Sequence, residues 1–260
     1  MDDFIKNDFK DKSVAEIQKE LSKFYNFYHN TVANLGNYPI FRVRKISSSA
    51  HHLVSDIWCP DSSLVTSLGR ANDIGESIFY GALDYQTAIE EKNISASDKY
   101  SLACFMMQPM EQDNMTSIVI KKSPWLSAQP SIIEILGKKL NEFMVDEFTK
   151  IVTEGEEYKY AISCALAHTL LQDKRKDSLI YPSVKNNDSI NIVMREENAK
   201  KRLDLRLVLT CECINQNEHV VINVKEADDT GRLIIKHDYE SSKIPLKINS
   251  PRYTFSQLFG

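Results

Sequence analysis

Apolar residues recur at helical spacing near the start of the chain: Val14, Ile17, Leu21, Phe24, Tyr28 and Val32, until Gly36-Asn37-Tyr38-Pro39 ends the pattern. Ser13-Val14-Ala15-Glu16 ahead of it fits a capping box, in which serine and glutamate satisfy each other's orphan backbone donors. The pattern predicts an amphipathic leading helix packed on the rest of the chain. Past the proline the period shortens. Ile40 to Val43 reads as a short strand, and the polar stretch Ser47 to Ser67 carries His51-His52, Trp58 and Pro60. Ser77 to Ala82 reads as another strand, and Asp84 caps a helix through Thr87, Ala88, Glu90 and Glu91.

Leu102 to Pro109 and Thr116 to Ile120 have strand character and are joined by a polar turn, Glu111 to Asn114. Two helices follow. Ser131 to Val152 carries Ile132, Leu136, Leu140, Phe143 and Met144 on one face; Glu156 to Leu171 carries Tyr158, Ile162, Ala165 and Thr169. Strands at Leu179 to Val184 and Ile190 to Met194 flank the turn Lys185 to Ser189. From Leu203 the chain alternates: Leu203 to Ile214, Val220 to Lys225 and Leu233 to His237, with turns at Asn215 to Asn217 and Asp228 to Gly231. The expected architecture is one mixed α+β domain with a helical preface.

Composition narrows the class. Of 260 residues, 42% are hydrophobic and 26% charged, as in a soluble globular protein. With 32 Lys+Arg against 36 Asp+Glu the net charge is −4, which argues against a basic surface coating nucleic acid. No apolar run is long enough to span a membrane, the densest being short segments such as Leu102 to Met107, and Met1-Asp2-Asp3-Phe4 is acidic where a secretory signal would be basic. A cytoplasmic location is expected. Cys59, Cys104, Cys164, Cys211 and Cys213 are odd in number and read as reduced and mostly buried, with no C-x-x-C or Cys/His spacing. Cys211 and Cys213 share one face of a strand and belong to the core. No metal site and no cofactor are expected.

The sequence contains no G-x-S-x-G, H-E-x-x-H, Walker loop or G-x-G-x-x-G. His51 and His52 point apart on any regular element and read as loop residues. His168 has no carboxylate or cysteine at a ligand spacing and is set aside. The polar crowding between positions 42 and 91 is more informative. Arg42 lies inside an apolar strand start, Gly69-Arg70-Ala71-Asn72 reads as a turn, and Tyr80, Glu90 and Glu91 follow on short elements. Two arginines, a tyrosine and a carboxylate suit a small anionic ligand with a ribose: guanidinium forks match phosphate, the phenol ring stacks, and the carboxylate holds hydroxyls or steadies a cationic transition state. The alternative is structural, with the arginines in surface ion pairs and Tyr80 in the core.

Phe41-Arg42-Val43, Gly69-Arg70-x-Asn72, Ile78-Phe79-Tyr80, Ala88-x-x-Glu91 and Tyr181-Pro182-Ser183-Val184, in that order, resemble the RES domain, over about Ile40 to Met194. The resemblance implies an ADP-ribosyltransferase-like α+β fold with a split central sheet and a β-rich C-terminal tail. It divides the chain into an N-terminal helical extension, 1–38, and a RES-like domain, 39–260. It also implies action on NAD+ as substrate: cleavage of the nicotinamide–ribose bond by water or phosphate, or transfer of ADP-ribose to a protein, with a nucleotide-binding module that no longer turns over as the remaining alternative. Such proteins are toxins of toxin–antitoxin pairs, neutralised by an Xre-like partner that carries the DNA-binding function. Oligomerisation stays open. By the motifs, Glu91 with Arg42 and Ser183 are the catalytic candidates, and Arg42, Arg70, Tyr80, Asn72 and Ser183 bind NAD+. The Ala-x-x-Glu interval favours Glu91 over Glu90. Two departures stand out: Ala71 replaces a frequent aromatic, which opens one pocket wall, and the stretch from Glu91 to Ser183 is expanded by two long helices.

Overall fold

A computed structural model of the chain describes residues 9, 12–24, 27, 31–47, 50–109, 116–121, 128–185 and 188–247. Eleven strands among these residues form one sheet: β1 (Thr31–Ala33), β2 (Pro39–Lys45), β3 (Ile78–Ala82), β4 (Lys99–Met107), β5 (Thr116–Val119), β6 (Lys176–Pro182), β7 (Ile190–Arg195), β8 (Leu203–Asn215), β9 (Glu218–Ala227), β10 (Leu233–Asp238) and β11 (Ile244–Pro245). Their spatial order is β1-β5-β6-β7-β3-β2-β4-β8-β9-β10, with β11 also on β9. β5 and β6 run parallel. The other neighbours are antiparallel.

The sheet is nearly cut in two at its centre. β2 aligns with β4 along its whole length, from Pro39–Met106 to Lys45–Tyr100, yet it meets β3 at one residue pair, Phe41–Ala82. The fold is therefore α+β with a split central sheet, as the sequence predicts.

Helices α1 (Val14–Ser22), α3 (Ile132–Thr149) and α4 (Ala161–Leu170) cover one face of the β5-β6-β7 half. The strands supply Ile118, Leu179, Tyr181 and Val193 to that layer, while their neighbours Val119, Ile180, Ile192 and Met194 pack into a second cluster on the opposite face. Strands buried on both faces lose the polar alternation of a half-exposed strand, which is why they read as continuous apolar runs. The second cluster centres on Phe79, Phe105 and Trp58, whose ring centroids lie 5.0–5.9 Å apart in tilted and edge-on pairs. A third cluster lies beneath α2 (Tyr85–Glu91), between it and β4 and β8, and holds Cys211. Cys211 and Cys213 are both core residues, as their shared strand face predicts.

Several local expectations hold. Ser13 and Glu16 form the capping box of α1. Ser131 and Glu134 do the same at α3. Asp84 caps α2 by accepting from the Thr87 backbone N–H at 2.8 Å and from its hydroxyl at 2.6 Å. Others are corrected. The leading helix ends at Ser22, and Val32 lies in β1 opposite Ile118; Tyr28 is outside the described residues. Strand pairing overrides the helical spacing there: the β-branched Thr31 and Val32 suit a strand, and they close the open edge of β5. β1 and the buried Val14, Ile17 and Leu21 knit the N-terminal segment into the sheet and core. The strands expected on either side of residues 111–114 are not neighbours, since β4 pairs with β2 and β8, and β5 with β1 and β6; that turn lies outside the described residues. The helix predicted from Glu156 begins as a 3-10 turn, Glu157–Tyr160, before α4. Helix α5 (Glu196–Arg202) was not read from the sequence.

α5 delivers Arg202 to a fully buried ion pair with Asp177 of β6, at 3.4 Å. Asp177 also accepts from Ser178 at 2.9 Å. Asp177→Ala would strand the guanidinium without a counter-charge, and the expected loss is about 3–5 kcal/mol, read as a lowered midpoint in urea denaturation.

Candidate active site

The cleft opens where β2 and β3 part, beyond the Phe41–Ala82 pair. Gly81 permits the close approach there. A Cβ at this position would fall 2.7 Å from Ile40 Cγ2, 2.9 Å from Phe79 Cε1 and 3.1 Å from the Phe41 carbonyl oxygen. The resulting cavity has a volume of about 290 Å³ and is walled by Arg42 and Val43 of β2, Tyr80 of β3, the Gly69–Asn72 turn, and Ala88, Glu91 and Lys92 at the end of α2. Arg42, Val43, Asn72, Tyr80 and Lys92 also line an adjoining cavity of about 500 Å³ that reaches Arg44, Lys45 and Glu76.

Arg42 is buried in the sheet and held by carbonyl oxygens instead of a carboxylate. Its Nε donates to Ile57 at 3.1 Å and its Nη1 to Tyr80 at 2.5 Å. The guanidinium carbon lies 5.2 Å from the Phe79 ring centroid. Burial, and secondarily the charge of Arg44, lowers its pKa to about 10, so it remains a cation at neutral pH. Arg70 donates to the carbonyls of Glu147 (3.3 Å) and Lys150 (3.0 Å) at the end of α3, and its guanidinium stands 5.0 Å from the Tyr160 ring centroid. A cation there meets the negative end of the helix dipole. Among the described residues, neither arginine forms the surface ion pair of the structural alternative.

The Gly-Arg turn is braced by Tyr80. Its hydroxyl donates to Asn72 Oδ1 at 2.9 Å and accepts from the Ala71 N–H at 2.8 Å. Burial pushes the phenol pKa well up, keeping it neutral. Asn72 Nδ2 spends its donors on the Ser67 and Asp73 carbonyls. Ala71 is buried in the core with the α4 residues and does not open a pocket wall, contrary to expectation.

At the opposite wall, Ala88 and Glu91 stand one helical turn apart on the cleft side of α2, while Glu90 faces solvent. The Ala-x-x-Glu interval is thus a statement about one helix face, and of the two glutamates it is Glu91 that lines the cleft. Glu91 Oε1 accepts from Ser183 at 2.5 Å and from Asn191 Nδ2 at 2.7 Å. Ser183 in turn accepts the Lys185 N–H at 3.1 Å. Glu91 and Ser183, 92 positions apart, are joined because β7 sits between β3 and β6. Five of the candidates from the sequence, Arg42, Arg70, Asn72, Tyr80 and Glu91, therefore line one cleft, and the sixth, Ser183, is fully buried behind Glu91 and reaches the cleft through that hydrogen bond.

With that geometry in place, the comparison with known families is direct: residues 40–210 match the RES domain. The chain belongs to the RES domain family. No curated protein matches it at the same level. Five chains of solved structures do. One comes from the crystal structure of the M. tuberculosis MbcT–MbcA toxin–antitoxin complex, with 10% identity, a TM-score of 0.39, and coverage of 77% of this chain and 93% of that one.

In this RES domain the cleft is also lined by residues that the sequence reading did not single out. Asn191, Tyr160, Tyr181 and Lys92 line the cleft. Tyr181 had a signal, since it belongs to the Tyr181-Pro182-Ser183-Val184 motif piece, at the end of β6 before Ser183 leaves the strand. Asn191 had none, because its role arises from pairing opposite Tyr181 and Ala82. Lys92 loses some of its proton affinity to burial and then to the charges of Arg42 and Arg44. His51 lies away from the cleft, in a loop, with Nδ1 2.8 Å from the Ser101 hydroxyl. His168 is not isolated: Cys164 lies one turn earlier on α4, and Glu76 reaches its ring.

A Cβ on Gly69 would lie 2.1 Å from Asn72 Oδ1 and 3.0 Å from the Tyr80 hydroxyl. Gly69→Ala is therefore expected to break the Tyr80–Asn72 brace at a cost of about 1–3 kcal/mol, seen as a lower Tm together with weaker ligand binding in calorimetry.

Proposed function

We propose that the cleft binds NAD+ and cleaves the bond between nicotinamide and ribose. The observation that carries this reading is the Glu91 carboxylate, fixed by Ser183 and Asn191 across a cleft from Arg42 and Arg70. Breaking the glycosidic bond releases neutral nicotinamide and leaves positive charge on the ribose carbon, an oxocarbenium-like transition state. A carboxylate already oriented beside that carbon stabilises the charge without reorganising as it develops. Both hydrogen bonds to Glu91 converge on Oε1, and Oε2 is assigned to the ribose.

Arg42 and Arg70 supply positive potential for the pyrophosphate, using the N–H groups not engaged by carbonyls. Tyr80 and Tyr181, both on the wall of the smaller cavity, offer aromatic surface to the nicotinamide ring. Ser183 and Asn191 act as positioning residues, since their hydrogen bonds set the carboxylate's orientation. The smaller cavity suits the nicotinamide–ribose end, and the adjoining one, with Arg42, Arg44, Lys45 and Lys92 on its walls, has the charge to take the anionic remainder or the acceptor. Water, phosphate and a protein side chain are the acceptor classes; the last would make the protein a mono-ADP-ribosyltransferase.

Membership of the RES family supports a growth-inhibiting role within a toxin–antitoxin pair, with NAD+ in the cytoplasm as target and an Xre-like protein as neutralising partner. Among the described residues no helix is long and apolar enough to cross a membrane.

Purified protein is expected to release nicotinamide from NAD+. Glu91→Gln should lower the rate by about 10²–10³-fold at unchanged circular dichroism. Glu90→Gln, on the solvent side of the same helix, should retain the wild-type rate. Equal loss in both variants, or none in Glu91→Gln, would remove the assignment.

A further inference from the structure

Beside the cleft, α4 and the segment leading into β3 bring a nitrogen, a sulfur and a carboxylate oxygen together. Cys164 and His168 are four residues apart on α4, so they lie on the same helix face. Cys164 Sγ stands 3.7 Å from His168 Nε2. Glu76 approaches from outside the helix, its Oε2 2.6 Å from the same nitrogen. All three donor atoms lie within 4.8 Å of one another. The Cys164 end is buried. His168 and Glu76 side chains keep 22% and 31% of their exposure, and Glu76 lines the larger of the two adjoining cavities. The cluster thus has a dry sulfur end and a solvent-facing carboxylate end.

We propose that Glu76, Cys164 and His168 form a binding site for a divalent transition metal ion, best matched by zinc. A mixed sulfur, nitrogen and oxygen donor set selects a borderline metal, whereas calcium and magnesium require oxygen donors alone. Tetrahedral zinc bonds would place the donor atoms roughly 3.4–3.6 Å apart, so the sulfur–nitrogen spacing already fits and the Glu76–His168 contact opens by less than about 1 Å. Three protein ligands leave a fourth position, which faces the cavity and takes water or an anionic group.

The proton balance is simple. Metal binding expels the Cys164 thiol proton, and the imidazole N–H occupies Nδ1 once Nε2 is a ligand, so affinity rises with pH. The ion would tie α4 to the segment that carries Gly69, Arg70 and Asn72 and would thereby set the shape of the wall between the two cavities.

The test is a titration of the full-length, chelator-stripped protein with Co²⁺. One equivalent is expected to bind with a thiolate-to-cobalt charge-transfer band and to be displaced by Zn²⁺. Cys164→Ser should abolish the band, and Glu76→Gln should weaken Co²⁺ binding by at least about tenfold. Because Cys164 is fully buried and its variant could fail to fold, Glu76→Gln, at a part-exposed position, decides the matter independently. Absence of saturable binding would overturn the proposal. So would a band that persists in a folded Cys164→Ser, or an unchanged affinity in Glu76→Gln. None of these results depends on NAD+ cleavage.

Discussion

The single pairing of Phe41 with Ala82 governs this molecule. A continuous sheet satisfies its backbone groups along every strand, so a place where two strands meet once and then diverge needs other partners for the exposed carbonyls and amides. Arg42 is one such partner, donating to the Tyr80 carbonyl across the gap and to Ile57 beside it. The gap therefore creates the cleft and also supplies the anchors for a buried cation within it. Gly81 is the local condition for that geometry, since a side chain there would collide with β2.

The electrostatics follow from the same arrangement. Arg42 and Arg70 are held by carbonyl dipoles and aromatic faces, which orient the guanidinium groups without neutralising their charge. Glu91 is held by a hydroxyl and an amide, again without a neutralising partner in those contacts. An ion pair between these groups would cancel the field that the proposed anionic substrate and its cationic transition state require. Neutral hydrogen-bonding partners preserve both signs at fixed positions a cleft's width apart, the condition for electrostatic preorganisation.

Features whose cause is local were visible in the sequence. Capping residues Ser13, Asp84 and Ser131, the Ala88-x-x-Glu91 turn and the long alternating strand from Leu203 each follow from short-range geometry. The six clustered candidates were legible because their motif pieces, though weak singly, occur in one order. What escaped was set by distant pairing. Val32 is a strand residue because β5 lies beside it, and Asn191 reaches the cleft because β7 sits between β3 and β6. Helix α5 has a charged sequence that buries Arg202 against an aspartate of another element. The relation between Cys164 and His168 was present as a one-turn spacing, but Glu76 joins them from 92 positions away from the histidine.

The most direct test of the central claim, that the cleft in the divided sheet consumes NAD+, is the intracellular NAD+ content after induced expression of the wild-type chain. The account predicts rapid depletion that precedes growth arrest. Arrest with NAD+ held at its initial level and with no protein ADP-ribosylated would contradict it.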